Sequence, residues 1–399
     1  MGSELWKRLR LGDFVTLQRG HDLPEEKRRA GNVPILGSFG ITGWHDELKA
    51  PGPGVTVGRS GASFGVVSYT EADYWPLNTA LYVINFHGND ERFAYYFLKS
   101  FDFSGYNSGS AQPSLNRNFI HPVAVDVPPL FEQRAIAHIL GTLDDKIELN
   151  RRRNQTLEAI ARALFKDWFV DFGPVRAKLE GREPYLPPDL WRLFPGRFDD
   201  DGKPEGWTTG TLGDVATHLR RGIRPEQIVP ETPYIALEHM PRRCIALSDW
   251  GIADGLESNK YQFSRGEILF GKLRPYFHKV GVAPVDGVCS TDIVVITPKS
   301  PDWFGFTLEH VSSLEFVEYT NAGSTGTKMP RTSWNHMARY EVVVPPHPLA
   351  VAFSEQVQPL VDSILNATHE SKSLAHLRDT LLPKLISGDL RIQDIERFF

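Results

Sequence analysis

The hydrophobic pattern is most regular between Leu130 and Val170, where apolar residues recur alternately four and three positions apart. This spacing is typical of a helix packed lengthwise against another helix. A helix of about 40 residues is roughly 60 Å long, too long to be buried inside one ordinary domain. The pattern therefore predicts a long helical rod that packs against a partner helix. The positions that face this partner form the seam. Its seam positions are Ile136, Leu140, Leu143, Ile147, Asn150, Asn154, Leu157, Ala161, Leu164 and Trp168.

A second stretch repeats this pattern 217 positions later, and each stretch follows a Pro-Pro pair. Polar seam residues in the middle of both stretches fix the register at some cost in stability. Pro359 predicts a kink or a restart of the second helix, and we expect the first to bend near Gly141. The alternative is two unrelated amphipathic surface helices. The seam positions of the second stretch are Phe353, Val357, Leu360, Ile364, Ala367, Ser371, Leu374, Arg378, Leu381 and Leu385.

The repeat extends into the segments that precede the two rods. The phrase Trp6 to Asp13 returns as Trp207 to Asp214, with the Trp, Leu, Gly and Asp at identical spacing. Short Gly- and Pro-bounded strands follow in each segment, then a helix and a last strand before the Pro-Pro pair. Each segment is predicted to be an α+β domain of about 130 residues.

The segment from Gly109 to Asn116 corresponds to the segment from Gly326 to Ser333, again 217 positions later. Its small, polar and proline-fixed residues predict a rigid loop with exposed hydrogen-bonding groups, which is suited to recognition. The alternative is a simple turn leading into a strand.

Composition narrows the class of protein. The chain has 41% hydrophobic and 23% charged residues, as expected for a globular protein with a core. Its two cysteines, Cys244 and Cys289, are too few for a zinc cluster or a disulfide framework, which favours a reducing compartment. With no signal-peptide pattern and no long apolar run, we expect a cytoplasmic protein with no membrane contact. The net charge of −5 argues against DNA binding over a wide surface, but not against a local basic groove.

Taken together, these phrases resemble the specificity subunit of Type I restriction-modification enzymes. The stretch from Pro128 to Phe172 and the stretch from Leu377 to Ile392 carry most of the resemblance, which covers nearly the whole chain. The opening of the second rod departs from the pattern, because it lacks the Phe131-Glu132-Gln133 phrase of the first.

The resemblance implies an α+β fold in which two target-recognition domains form a pseudo-twofold repeat, separated by two long antiparallel coiled-coil helices. The implied domains are 1–129 for the first recognition domain, 130–171 for the first spacer helix, 172–205 for a linker, 206–346 for the second recognition domain, 347–386 for the second helix and 387–399 for a tail.

The implied function is to bind a split, asymmetric sequence in double-stranded DNA. The chain would have no cofactor and no catalytic role. It would recruit two modification subunits, which bind S-adenosylmethionine and methylate adenine, and restriction subunits would join that complex to cleave DNA.

Within this scheme, polar and basic loop residues are the candidates for DNA contact. Arg can read guanine, and Asn or Gln can read adenine, by paired hydrogen bonds in the major groove, although basic side chains more often contact phosphate. The candidates in the first domain are Gln18, Arg19, Arg59, Ser60, Ser63, Asn78, Thr79, Gln112, Ser114 and Asn116. Those in the second are Arg220, Arg221, Arg224, Lys272, Arg274, Tyr276, Thr291, Lys328 and Arg331.

Two other function classes compete with this interpretation. A self-contained nuclease would use Asp189, Asp201 and Lys203, which match a metal-dependent nuclease pattern but lie in a Pro-, Gly- and Asp-rich connector without a strand signal. A self-contained methyltransferase is disfavoured, since none of the Pro-Pro sites is preceded by Asn or Asp and followed by an aromatic residue. A coiled-coil adaptor without a DNA role would explain the rods but not the repeated domains.

The seam itself can be tested. Replacing Leu143 and Leu157 with Asp should lower the melting temperature, because burying each leucine is worth about 1.5–3 kcal/mol. Thermal unfolding followed by circular dichroism measures this. An unchanged melting temperature would show that these positions do not pack.

Overall fold

The computed structural model describes residues 6–109, 113–326 and 328–392. The chain divides into unit 1, formed by Met1–Asp145 with Leu374–Phe399, and unit 2, formed by Lys146–Ser373. The division falls inside the two long helices and not at the predicted boundaries after residues 129 and 346. The reason is that each globular part shares its hydrophobic core with helix segments of its own unit.

Unit 1 contains short strands and three short helices before the first long helix. In chain order these are β1 Lys7–Arg10, α1 Leu11–Phe14, β2 Thr16–Arg19, β3 Val33–Gly37, β4 Gly40–His45, β5 Gly54–Gly58, β6 Val67–Thr70, β7 Trp75–Pro76, β8 Ala80–Asn85, α2 Glu91–Ser100, α3 Arg117–Ile120, β9 Ala124–Val127 and the long helix α4 Leu130–Phe165.

The strands of unit 1 form three sheets. A four-stranded antiparallel sheet has the order β2-β8-β5-β6, a three-stranded sheet has the order β4-β3-β7, and β1 pairs with β9. Alternating apolar residues of β2, β5 and β8 pack with α2, whose Asp90 side chain caps the helix by accepting from the Phe93 amide at 2.8 Å. The same core includes Ile136 and Leu140 of α4 and Leu385 near the end of the chain.

Unit 2 begins within α4, which ends in a single π-helical turn over Lys166–Val170. The elements that follow are α5 Gly173–Leu179, α6 Pro188–Arg192, β10 Thr208–Thr211, α7 Leu212–Val215, β11 Ala216–His218, β12 Gly222–Ile223, β13 Pro233–Ile235, β14 Gly251–Ile252, β15 Lys260–Phe263, β16 Ile268–Gly271, β17 Val280–Val282, β18 Gly287–Cys289, β19 Ile293–Pro298, α8 Phe304–Ser312, α9 Leu314–Ala322, α10 Trp334–Met337, β20 Glu341–Val344 and the long helix α11 His347–Ser387.

The sheets of unit 2 repeat those of unit 1. Its four-stranded sheet has the order β11-β19-β16-β17, which matches β2-β8-β5-β6 strand for strand. The registers also match, since Val57 pairs with Leu81 in unit 1 and Phe270 pairs with Val294 in unit 2. The second sheet has diverged, because unit 2 carries five strands in the order β12-β15-β18-β13-β14 where unit 1 carries three.

The repeated Leu-Gly-Asp phrase has one structural role in both units. The Leu11 amide donates to the Val123 carbonyl at 2.8 Å, and the Leu212 amide donates to the Tyr340 carbonyl at 2.9 Å. A Cβ atom on Gly213 would lie 3.0 Å from the Ala338 carbonyl oxygen, so the close approach favours glycine. The phrase therefore fastens the first strand of each unit to the last.

The predicted linker at 172–205 is more than a connector. It forms α5 and α6, and Val175 and Phe194 are buried in the core of unit 2 together with Trp207. Apolar residues spaced between prolines and glycines provide these contacts, although no strand or helix was predicted there.

The segments of the two long helices run antiparallel within each unit. In unit 1 the Arg378 Nη1 donates to Asp144 Oδ1 at 2.5 Å and the Arg391 Nη2 donates to Glu132 Oε2 at 3.1 Å, so numbers rise on α4 as they fall on the other segment. In unit 2 the Asn150 Nδ2 donates to Glu370 Oε2 at 2.8 Å and the Arg153 Nη2 donates to Ser363 Oγ at 2.6 Å, which shows the same direction. All predicted seam positions on both helices are buried or half-buried.

Pro359 does not interrupt α11, contrary to a restart of the helix at that position. The helix is continuous from His347 to Ser387, and Pro359 is exposed, so its ring lies on the solvent side of the helix. The prediction of an α+β fold with two long paired helices is confirmed. Within the described residues no helix is long and apolar enough to cross a membrane.

A polar contact in unit 1 offers a test of the helix pair. Asp144 accepts from the Tyr96 hydroxyl at 2.6 Å as well as from Arg378. Asp144→Ala leaves a fully buried tyrosine hydroxyl and a largely buried guanidinium without this acceptor, so the free energy of unfolding should fall by about 2–3 kcal/mol. Urea unfolding measures it.

The neighbouring Asp145 provides the matched control. Its side chain is 62% exposed and pairs with Arg92 at the surface, so Asp145→Ala should cost less than about 1 kcal/mol. Equal losses for the two variants would contradict the special role of Asp144.

Candidate nucleic-acid interface

One end of the four-stranded sheet of unit 1 collects most of the candidates of that unit. Strands β2 and β5 end there and β8 begins there, which brings Arg19, Arg59, Asn78 and Thr79 to the same edge. The Arg59 amide donates to the Thr79 carbonyl at 3.0 Å, and the Arg59 Nη1 donates to the Asn78 carbonyl at 3.3 Å. The antiparallel topology thus gathers residues that are far apart in the sequence.

The segment that contains Ser114 is held against this edge by backbone hydrogen bonds. The Leu115 amide donates to the Arg59 carbonyl at 2.7 Å, and the Gly61 amide donates to the Pro113 carbonyl at 3.2 Å. Ser60 and Ser114 form an isolated β-bridge. Gln112, also predicted here, lies outside the described residues.

Unit 2 holds its equivalent segments in the same way. The Lys272 amide donates to the Asp292 carbonyl at 2.9 Å, and the Thr332 amide donates to the Lys272 carbonyl at 3.0 Å. Leu273 and Arg331 form the β-bridge that corresponds to Ser60 and Ser114. The two units therefore share the same backbone hydrogen bonds at the sheet edge, and this shared backbone frame carries different side chains in each unit.

The candidates of unit 1 differ in solvent exposure and in the hydrogen bonds that they already make. Arg19, Ser60 and Thr79 are exposed, while Gln18, Arg59, Asn78, Ser114 and Asn116 are half-buried. Two are already engaged: the Asn78 amide donates to the Asp22 carboxylate, and the Asn116 side chain caps α3 by accepting from the Asn118 amide at 3.0 Å.

Ser63 was predicted to contact DNA, and its position in the structure contradicts this. It is 2% exposed, and its hydroxyl donates to the Ser60 carbonyl at 2.8 Å. The short 3-10 turn over Gly61–Ser63 folds this side chain inward, so it stabilises the loop and is not presented to a ligand.

In unit 2 the exposed candidates are Arg220, Arg224, Tyr276, Thr291, Lys328 and Arg331, and the half-buried ones are Arg221, Lys272 and Arg274. Arg221 forms an ion pair with Glu267, whose side chain is only 14% exposed. This contact directs the Arg221 guanidinium toward the protein. Arg331 Nε lies 3.1 Å from Asp292 Oδ1, which holds its guanidinium at the edge.

Arg274 has an unusual backbone conformation. Its φ angle is +51°, in the left-handed region that non-glycine residues rarely adopt. Its amide donates to the Pro330 carbonyl at 2.7 Å, and its buried Nε has no hydrogen-bond partner. Strain of this kind is held in place by surrounding contacts and is frequent at functional sites.

Several residues at these edges were not among the predicted candidates. Asp22 and Asp292 hold Asn78 and Arg331, and Arg117 lines a shallow depression together with Gln18 and Arg19. Asp292 lies directly before β19, as Thr79 lies directly before β8. Aligning the two repeats could therefore have identified Asp292 as an edge residue.

The residues of the nuclease alternative lie elsewhere. Asp189 is on α6 with a side chain that is 91% exposed and paired with Arg192, and Asp201 is in a turn and pairs with Lys203 at 2.8 Å. Neither is on a strand. Among the described residues, no group of three or more His, Cys, Asp or Glu is arranged to hold a metal ion.

Comparisons with known proteins show which family the chain is similar to. A family model described as the Type I restriction modification DNA specificity domain matches residues 3–159. The specificity subunit of the Type I restriction enzyme MjaIX from Methanocaldococcus jannaschii is 27% identical over 318 residues, covering 76% of this chain and 70% of that protein. The EcoDI specificity subunit from Escherichia coli is 24% identical over 422 residues, covering 97% and 89%.

The family model and these relatives together support the assignment of this chain to the specificity subunits of Type I restriction-modification systems. The resemblance seen in the sequence is thereby confirmed. The crystal structure of a Type I S subunit from M. genitalium covers 96% of this chain and 97% of its own, with a TM-score of 0.60 and 16% identity. That likeness supports the fold.

If these sheet edges form a DNA interface, their basic side chains should contribute to the affinity. Arg59→Ala and Lys272→Ala should each weaken binding of the assembled complex to its DNA by at least about fivefold, because each removes a cation from the edge of a sheet. Filter binding over a series of salt concentrations measures the affinity and its salt dependence.

Arg8→Ala is the matched control. Arg8 is on β1 with a side chain that is 72% exposed, and it lies 3.5 Å from Asp126. Its removal should change the affinity by less than about twofold. A loss equal to that of Arg59→Ala would show that overall charge, and not the edge, governs binding.

Proposed function

We propose that this specificity subunit binds a split, asymmetric sequence in double-stranded DNA, with one half-site bound by each unit. The observation that carries the proposal is the shared loop frame at the sheet edge, where the same backbone hydrogen bonds hold different side chains. Arg59 in unit 1 corresponds to Lys272 in unit 2, and Ser114 corresponds to Arg331.

Different side chains on one frame favour two different half-sites. Hydrogen-bonding groups at base edges determine the sequence that is read, while backbone and phosphate contacts determine the position of the protein on the duplex. Unit 2 offers more cations at its edge than unit 1, which offers more neutral polar groups. The full target is therefore asymmetric.

The long helices set the distance between the half-sites. A hydrogen-bonded helix is stiff along its axis and rises about 1.5 Å per residue, and α4 and α11 each pass through both units without interruption. Two half-sites read from one side of B-DNA need a spacing near a helical turn, roughly 34 Å. A helix pair is suited to fixing that spacing.

The chain itself is proposed to be non-catalytic and without a cofactor. Two modification subunits would supply S-adenosylmethionine and adenine methylation, and restriction subunits would supply cleavage, all within the cytoplasm. Exposed apolar residues on α4 support a protein partner, since Leu149 is 58% exposed and Ile160 is 43% exposed.

The test is to express the chain with its modification subunits and to map methylated adenines in the host DNA by single-molecule sequencing. We expect methylation of one split sequence with two unlike halves, and none when the chain is omitted. Methylation without a split sequence would contradict the proposal, and methylation or cleavage by the isolated chain would show that it is an enzyme.

A second experiment tests the role of the helices as a ruler. Inserting four residues, about one turn, between Asp145 and Lys146 and also between Ser373 and Leu374 should lengthen the non-specific spacer of the methylated sequence. The same methylation mapping measures it.

The control inserts the four residues into α4 alone. Because this shifts one seam against the other, it should lower stability and abolish methylation. An unchanged spacer in the double insertion would contradict the ruler.

A further inference from the structure

The turn between β3 and β4 of unit 1 presents large apolar side chains to solvent. Phe39 is 66% exposed and Ile41 is 58% exposed. Gly40, which lies between them, has a φ angle of +97° and permits the tight turn. Adjacent large apolar side chains outside a core are typical of a contact surface.

This turn lies beside the candidate interface of unit 1. Leu36 pairs in parallel with Pro76, and the Leu77 amide donates to the Leu36 carbonyl at 2.8 Å, so β3 runs beside the segment that continues into Asn78 and Thr79. On its other side, the Ser38 carbonyl oxygen would lie 2.7 Å from a Cβ atom on Gly58. Phe39 therefore projects from a turn that adjoins the residues before Arg59 and Asn78.

The chemistry of Phe39 complements one part of a duplex. A phenyl ring gains nothing from phosphate oxygens and offers no conventional hydrogen bond to a base edge. The apolar surfaces of DNA are the faces of the bases, reached where a base step is opened, and the 5-methyl group of thymine. Polar residues of the same sheet edge, such as Arg59, can contact the DNA backbone while the ring reaches these surfaces.

Unit 2 combines the same two kinds of side chain at its own edge, but from other loops. Gly271, which corresponds to Gly58, adjoins the half-buried Leu237. The exposed apolar residues are instead Tyr276 at 50% and Met329 at 48%, each two positions from an edge arginine. An exposed apolar side chain in a loop that adjoins the sheet edge thus recurs in both units.

We propose that Phe39 is an apolar base contact that helps to determine the sequence preference of unit 1. Its ring packs against an opened base step or against a thymine methyl group. This inference rests on the proposed function and adds to it a residue that acts without hydrogen bonds.

The experiment compares complexes that contain the native chain or Phe39→Ala, together with the modification subunits. Each complex selects duplexes from a library randomised over the methylated sequence. Phe39→Ala should relax the preference at one or two adjacent base pairs of one half-site and weaken binding of the native target about tenfold. The half-site read by unit 2 should be unchanged and serves as an internal control.

Two modified duplexes distinguish contact with a thymine methyl group from entry into a base step. If the ring contacts a thymine methyl, replacing thymine with uracil should weaken binding by the native complex and leave Phe39→Ala unaffected. If it enters a base step, 2-aminopurine at that step should brighten on binding of the native complex only.

Leu48→Ala is the matched control for Phe39→Ala. Leu48 is 50% exposed and follows β4 at the end opposite to the turn, so its loss should leave both half-sites unchanged. Melting temperatures of both variants should stay within about 2 °C of the native value, because neither side chain is buried.

A Phe39→Ala complex that keeps both its affinity and its half-site preference would overturn the inference, and so would equal relaxation of both half-sites. If the native complex selects no split sequence, the proposed function itself fails, and that result is distinct from a failure of Phe39 alone.

Discussion

The antiparallel packing of α4 on α11 is the constraint on which the rest of this structure depends. Each globular part completes its core with segments of both helices, with Leu140 and Leu385 in unit 1 and Phe165 and Phe353 in unit 2. Burial of these side chains is worth about 1.5–3 kcal/mol each. Neither globular part would have a complete core without the helix pair.

Polar groups in the seam fix how the helices pair. Asn150 donates to Glu370 and lies 3.2 Å from the Ser371 hydroxyl, but its own Oδ1 and that of Asn154 are buried without a hydrogen-bond partner. Such atoms cost stability, whereas an amide that has its partner in only one register disfavours every other register. If the helix pair sets the spacing of two half-sites, as proposed, a single register is worth this loss of stability.

A second constraint operates at the sheet edges, where backbone groups and not side chains make the conserved contacts of the repeat. The amides of Arg59 and Lys272 bind equivalent carbonyls, so the side chains at these positions are free to differ without loss of the frame. This separation explains how one architecture presents Ser114 in one unit and Arg331 in the other. The side chains presented at the edge can then change without a change of fold.

The sequence by itself determined the periodic features. The seam, the repeated Leu-Gly-Asp phrase and several strands, among them β5, β8, β16 and β19, could be predicted, because each follows from local spacing and residue type. Tertiary structure decided what depends on partners distant in the chain. It turned Ser63 inward, paired Arg221 with Glu267, packed Val175 of the linker into a core and placed the turn that carries Phe39 against Gly58. A side chain's availability is set by neighbours that folding brings from elsewhere in the chain, and no local pattern records them.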